Sequence, residues 1–305
     1  MNRVVVFGSL NQDAVLRMGA LPLPGETVSA SELLWAGGGK GANQAFAAGA
    51  VTGEHTRVAM VGCVGSDDVG RGLIDELAAA NVDTSNIATV AGPTGFASVL
   101  VDDAGENVVV VYPGANEQWP ESLIDSVPLG ASDVVLLQQE IPSANVRSAL
   151  LAGRRAGART VLNAAPARDL SADTLALVDV LVVNELEHAA LFGAPEPSDE
   201  THATVREVFP GDLVVTLGGR GAVVFEGDEA PVRVPSFTVD VRDTVGAGDA
   251  FTGALAAMLA DGHSLAEATH LANAAGALTA TVSGARHPGL SREAIARLRS
   301  DQPLN

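Results

Sequence analysis

Six short, nearly continuous apolar runs, at residues 4–7, 57–63, 134–138, 160–163, 180–184 and 213–217, constrain this chain more than any other feature. A strand with one wet face alternates apolar and polar residues, whereas a strand apolar along its length is buried on both faces. Helix-like stretches at 43–50, 70–80, 144–156 and 185–191 fall between most of these runs. Strands covered on both sides and separated by helices build a mainly parallel sheet between helical layers, a three-layer α/β sandwich. Ligands of such sheets sit beyond the strands' carboxyl ends. A chain of 305 residues can bury the core this needs, so residues 1–305 read as one large α/β domain.

Two regions break the alternation. Residues 94–101 and 107–112 flank Asp102-Asp103-Ala-Gly-Glu106 and read as a hairpin, and 27–35 is strand-like with no helix beside it. They predict a small β-sheet lid, with strands inserted at about 14–36 and 94–113. Its Val, Leu and Phe side chains need a cover, which predicts a homodimer through the lid.

A formal charge of −19 opposes nucleic acid and anionic membranes, both of which attract fields of Lys and Arg. No apolar run approaches the length of a membrane span, and Met-Asn-Arg followed by four apolar residues is too short for a signal peptide, so a cytoplasmic protein is expected. The single cysteine, Cys63, lies in a strand-like run and reads as a small core residue.

The motif nearest to chemistry is Asp243-Thr-Val-Gly-Ala-Gly-Asp249. Residues 234–241 before it are strand-like, and Phe251, Ala254, Leu255, Met258 and Leu259 recur at helical spacing after it, so it is a turn at a helix N-terminus. Gly246 and Gly248 let successive N–H groups converge on an anion, with the helix dipole adding to the attraction. Asp249 in the first turn is then either a helix cap or a base that takes a proton from a hydroxyl attacking a phosphoryl group.

Two other stretches have the same character. Asn11 and Asp13, two apart after the first strand, point to one side of an extended segment and offer a donor and acceptor set suited to sugar hydroxyls; they are equally ordinary loop formers. Lys40 is the only lysine in a chain that otherwise uses arginine, and it lies within Gly37-Gly-Gly-Lys40-Gly-Ala-Asn43. This is not a Walker A loop, since Gly41 stands where that motif needs Ser or Thr. A compact charge on a flexible stem, framed by glycines, differs most from what arginine could supply there.

Taken in order, Gly8-Ser-Leu-Asn-Gln-Asp13, Gly38-Gly-Lys-Gly-Ala-Asn-Gln-Ala45 and the motif at 243–249 resemble those of the PfkB carbohydrate kinase family, the second pointing to its ribokinase branch. Gly105-Glu-Asn107, Asn163-Ala-Ala-Pro-Ala167, Asn184-Glu-Leu-Glu187 and Thr216-Leu-Gly-Gly-Arg-Gly221 extend the resemblance over essentially the whole chain. It implies ATP-dependent phosphorylation of the 5-hydroxyl of D-ribose. Asp249 would be the base, and Gly246, Ala247 and Gly248 the anion hole. Asn11, Asp13, Gly39, Lys40, Asn43 and Glu140 would hold the sugar. Asn184 and Glu187 would face the phosphates with Mg²⁺ and its waters. Thr216, Gly218, Gly219 and Gly221 would follow the nucleotide, with Asn273 near the adenine. A monovalent cation, K⁺, would lie among Asp243, Val245, Thr279, Val282 and Gly284.

The chain departs from the family pattern at Arg286-His-Pro-Gly289, which stands where a Ser ligand to K⁺ is usual; Arg286 is the first candidate to fill the site if no cation does. Fructokinase, deoxyribokinase and nucleoside kinase remain alternative activities, and a catalytically silent sugar or nucleotide sensor is the alternative of another class. An aromatic content of 4% weighs against a pocket for a nucleobase. The joint presence of Asp249, Lys40 and the glycine pair weighs against a silent sensor.

Overall fold

The computed structural model describes residues 2–120, 122–193 and 197–302. Along the chain, β1 (Asn2–Phe7) leads to β2 (Asn11–Met18), β3 (Glu32–Gly38), α1 (Lys40–Val51), β4 (Thr56–Gly65), α2 (Asp68–Ala79), β5 (Val82–Val90), β6 (Gly95–Asp102) and β7 (Asn107–Tyr112). The alternating part follows with β8 (Asp133–Leu137), α3 (Ser143–Ala156), β9 (Arg159–Asn163), α4 (Ala172–Leu175), β10 (Val180–Asn184), α5 (Glu185–Phe192) and α6 (Asp199–Val208). Then come β11 (Asp212–Thr216), β12 (Ala222–Phe225), β13 (Val232–Val234), α7 (Ala247–Ala260), α8 (Leu265–Thr279) and α9 (Arg292–Asp301).

The large sheet has the order β13-β12-β11-β10-β9-β8-β1-β4-β5, parallel except for β12 and β13. Consecutive strand residues point to opposite faces, and the burial shows what each face meets. Val4, Val6, Met60, Leu136 and Val182 join α1, α7 and α8 in one core cluster, while Val5, Phe7, Val61, Leu137 and Val183 join α3 in another. Both faces are thus covered, as the continuous apolar runs require. Cys63 is fully buried in the second cluster, and burial pushes its thiol up to about 12, which leaves it unreactive.

A second, four-stranded sheet has the order β3-β2-β6-β7 and forms the lid, at 11–38 and 95–112, close to the expected bounds. Pairing of β6 with β7 is antiparallel, as the hairpin reading required, and β2 runs parallel to β6. Leu33, Leu34, Trp35 and the β7 residues Val108–Val111 and Tyr112 are exposed.

The structure departs from the sequence reading in three places, two by shortening an expected strand and one by adding a strand that was not expected. Of 27–35, only the part from Glu32 is strand, and of 234–241, only Val234. From Pro235 to Val241 the chain forms no strand, and the Gln302 side chain bonds both the N–H and the carbonyl of Thr238. The third is β5, a sheet-edge strand whose mixed sequence Val-Asp-Thr-Ser-Asn-Ile-Ala-Thr-Val lacks the apolar continuity of an inner strand.

From β1 the chain steps outward to β4 and β5, then returns to place β8 on the other side of β1. This reversal opens a crevice beyond the carboxyl ends of β1 and β8. Residues 8–11 and 138–140 lie at its rim, with α1 starting directly above.

Candidate active site

The first turn of α1 is pressed onto the end of β1. Gly39, its N-cap, has φ 85°, and a Cβ there would lie 2.9 Å from the Asn11 nitrogen and the Ser9 oxygen. Only glycine permits this approach. The Glu140 carboxylate, arriving from β8, accepts the Lys40 N–H at 2.9 Å and the Ser9 hydroxyl at 2.6 Å through Oε2. Glu140 therefore ties the segments after β1 and β8 to the start of α1 through one oxygen.

Asn11 and Asp13 alternate along β2 and so share a face. Asn11 Oδ1 accepts from Asn116 Nδ2 at 2.7 Å, and Asn116 also bonds the backbone of Leu10 on both its N–H and C=O. Nothing in the sequence singles out Asn116. Asp13 Oδ1 is buried without a partner, and burial, with repulsion from Glu140 and Asp249 partly offset by Arg286, raises its carboxyl to about 7.

Asp249 is the third residue of α7, whose N-cap is Gly246 at φ 76°. A Cβ on Gly246 would lie 2.2 Å from the Ala285 oxygen, so the turn is packed against the segment that follows α8. No side chain caps α7, and the Asp249 carboxylate points across to α1. Its Oδ2 accepts from Asn43 Nδ2 at 3.1 Å and its Oδ1 from Gln44 Nε2 at 3.0 Å. Gln44 in turn donates to Asn163 and accepts from Gln138. Asp249 is thus oriented by an amide network, and the capping alternative does not describe it. The first-turn amides of α7 have no partner within their own helix, though Ala247 N–H makes a long turn contact of 3.3 Å to the Thr244 oxygen.

Lys40 faces this carboxylate: attraction to Asp249, opposed by burial and reinforced by Glu140 and Glu187, raises its ammonium above the usual lysine value. Asn184 and Glu187 form a capping box on α5, the Asn184 side chain accepting from Glu187 N–H while Glu187 Oε2 accepts from Asn184 N–H. Burial raises the Glu187 carboxyl. This pair was expected to be either phosphate-facing or a solvated surface pattern; it caps α5 and also lines a polar pocket.

That pocket, of about 220 Å³, brings Lys40, Asn163, Glu187, Gly246, Gly248 and Asp249 together. A larger and more apolar cleft of about 610 Å³ continues from it, sharing Asn184, Thr216 and Gly248. Gly218, Gly219, Gly221, Phe237, Phe251 and Asn273 line this cleft. Asn273 donates to the carbonyls of Val234 and Pro235 at 3.2 and 3.1 Å, so its amide hydrogens hold the cleft wall. A small polar chamber opening into a longer apolar cleft fits a polyphosphate joined to a planar base.

The Asp243 carboxylate accepts from Val245 N–H and Gly284 N–H, each at 3.0 Å, and so straps the motif turn to the segment after α8. The Arg286 guanidinium does not enter this loop. It turns to α1 and α2 instead, which removes it as an occupant of the cation position.

Residues 1–292 match a profile described as pfkB family carbohydrate kinase. The chain belongs to this family. Among its PfkB relatives, the ribokinase of Bacillus subtilis is 34% identical over 302 residues, covering 98% of this chain and 100% of the relative. The ribokinase of Haemophilus influenzae is 33% identical over 290 residues, 93% of this chain and 94% of the relative. Among solved structures, Arabidopsis thaliana ribokinase complexed with ribose and ATP superposes with a TM-score of 0.85 at 30% identity, covering 97% of each chain. Lys40, Asn184, Glu187, Gly246, Gly248 and Asp249, drawn from three of the stretches singled out in the sequence, line one pocket. Gln44 and Asn116 are among the site's polar residues to which the sequence assigned no role, and Arg286, read there only as a possible filler of the cation position, reaches the site as well. Gln44 lies inside one of those stretches, and its signal was adjacency to Asn43.

Proposed function

We propose that this PfkB kinase is a ribokinase, transferring the γ-phosphoryl group of ATP to the 5-hydroxyl of D-ribose to give D-ribose 5-phosphate and ADP. The observation that carries the reading is Asp249, held by Asn43 and Gln44 in the lining of the polar pocket. Asn11, Asp13, Gly39, Lys40, Asn43 and Glu140 surround the sugar. Asp249 accepts the hydroxyl proton as the oxygen attacks phosphorus. The amides of Gly246, Ala247 and Gly248 and the Lys40 ammonium face the charge on the transferred group. Thr216, Gly218, Gly219, Gly221 and Asn273 wall the nucleotide cleft.

Mg²⁺ fits this donor set. Among the described residues no group of three or more His, Cys, Asp or Glu could cage a metal, and a magnesium ion shared with phosphates needs only one or two polar protein contacts and water. Asn184 and Glu187 are the residues that would face it, and it would neutralise phosphate charge. K⁺ would take oxygen donors from Asp243, Val245, Thr279, Val282 and Gly284 in the loop that Asp243 straps together. It would shape the turn beside the anion hole without touching substrate. The exposed apolar lid supports a homodimer, and ATP as phosphoryl donor supports a cytoplasmic setting. No helix among the described residues is long and apolar enough to cross a membrane.

A coupled ADP-release assay over ribose, deoxyribose, fructose and nucleosides, with phosphorus NMR of the product, tests the reading. Ribose should give the highest kcat/KM and a 5-phosphate; a higher kcat/KM for fructose or a nucleoside would replace it.

A further inference from the structure

Arg286 comes from the segment between α8 and α9, yet its side chain is only 7% exposed. Its Nε–H donates to Asn43 Oδ1 at 3.0 Å, its Nη1 lies 3.0 Å from Glu76 Oε1 on α2, and its guanidinium stands 5.5 Å from the centre of the Phe46 ring. Neither Nη1 nor Nη2 makes a well-directed hydrogen bond among the described residues, so the contact with Glu76 is an ion pair. The lid touches the same group: a Cβ on Gly37 of β3 would lie 2.7 Å from Nη1.

A primary amide has one accepting end and one donating end. A guanidinium can only donate and a carboxylate can only accept, so Asn43, placed between Arg286 and Asp249, has one satisfactory orientation. Turned the other way, its oxygen would face the Asp249 carboxylate and its NH₂ would face the guanidinium. Its Nδ2 bond to Asp249 and its Oδ1 bond to Arg286 lie at opposite ends of the same amide, so the two partners impose one orientation together. A lysine at 286 would carry the charge but has no planar fork with which to meet Asn43 and Glu76 together.

We propose that Arg286 is a positioning residue for phosphoryl transfer: it fixes the Asn43 amide so that Nδ2 faces Asp249, and its pairing with Glu76 beneath Gly37 links that orientation to the lid. The buried positive charge also opposes the repulsion between Asp13 and Asp249. The proposal rests on Asp249 as proton acceptor. The alternative is a structural staple that only joins α1, α2 and the loop.

Steady-state kinetics with ribose and ATP on the full chain separate the two through a double-mutant cycle of Arg286→Met and Asn43→Ala. Met keeps a stem against Phe46 and removes charge and donors. R286M should lower kcat/KM for ribose by about tenfold or more, as expected for a displaced catalytic contact, with KM for ATP unchanged. The double variant should be no slower than N43A alone, because the contact through which Arg286 acts is already gone. Arg286→Lys should fall between wild type and R286M, and if R286M does not fold, the R286K and N43A cycle is read in the same way. A folded R286M with wild-type kcat/KM, or losses that multiply in the double variant while melting temperature falls in step, would overturn the proposal. An Asp249→Asn variant that kept its turnover would instead overturn the proton-acceptor reading beneath it.

Discussion

Replacing Asp13 by Asn should make the free protein more stable and the enzyme useless. The carboxyl of Asp13 is raised to about 7, chiefly by burial. A raised carboxyl pKa means that the folded state holds its proton more tightly than the unfolded chain, where the group titrates near 4. Stability is therefore lost as pH rises from about 4 to 7, and the full cost is present above 7. Three pH units at about 1.4 kcal/mol each set an upper limit of about 4 kcal/mol, which solvent entering the crevice reduces. An amide of the same shape carries no such cost. At roughly 2 °C per kcal/mol for a domain of this size, D13N should melt several degrees above wild type at pH 8, with a smaller margin at pH 6. Thermal unfolding without ligands at the two pH values measures it. Ribose should bind the ionised carboxylate, so wild-type affinity for ribose should improve as pH rises towards 7, with proton release visible by calorimetry in buffers of different ionisation enthalpy. Parallel pH dependences of melting for wild type and D13N would refute the reasoning.

Two further outcomes follow from the same geometry. Lys40→Arg should raise the KM for ribose by about tenfold, the loss of a well-placed charged hydrogen bond, while the melting temperature is unchanged; an unaltered KM would return Lys40 to the status of a loop residue. K⁺ should raise kcat/KM above the value in Na⁺ at equal ionic strength, with half-activation at higher K⁺ than in relatives that keep a Ser ligand; equal rates in K⁺, Na⁺ and neither would mean that the loop strapped by Asp243 works without a cation.

What could be read from the sequence follows from how local each signal is. The inner strands announce themselves because burial on both faces leaves no polar position, and Gly39 and Gly246 mark turns whose close contacts exclude a Cβ. The edge strand β5 and the truncated strand after Val234 were not legible, since edge position and the pairing of Thr238 with Gln302 depend on tertiary placement. Within the site, Asn11, Lys40, Asn43 and Asp249 could be singled out from spacing, glycine context and family resemblance. Their supports could not: Gln44, Asn116 and Arg286 act across 205, 105 and 243 residues of sequence. Arg286 shows the limit most clearly. Its position suggested a filler for the cation loop, and only the fold shows that the side chain crosses to Asn43.

The central claim is that Asp249 removes the proton from the attacking hydroxyl, and single-turnover phosphoryl transfer in Asp249→Asn tests it most directly. Asn retains the size and keeps one acceptor for Asn43 or Gln44, so ribose and ATP should still bind, as calorimetry would show. The transfer rate should fall by about 100-fold or more, about 2.7 kcal/mol of lost transition-state stabilisation. A transfer rate within a few-fold of wild type, with both substrates bound, would contradict the assignment and leave Asp249 as an organiser of the amide network alone.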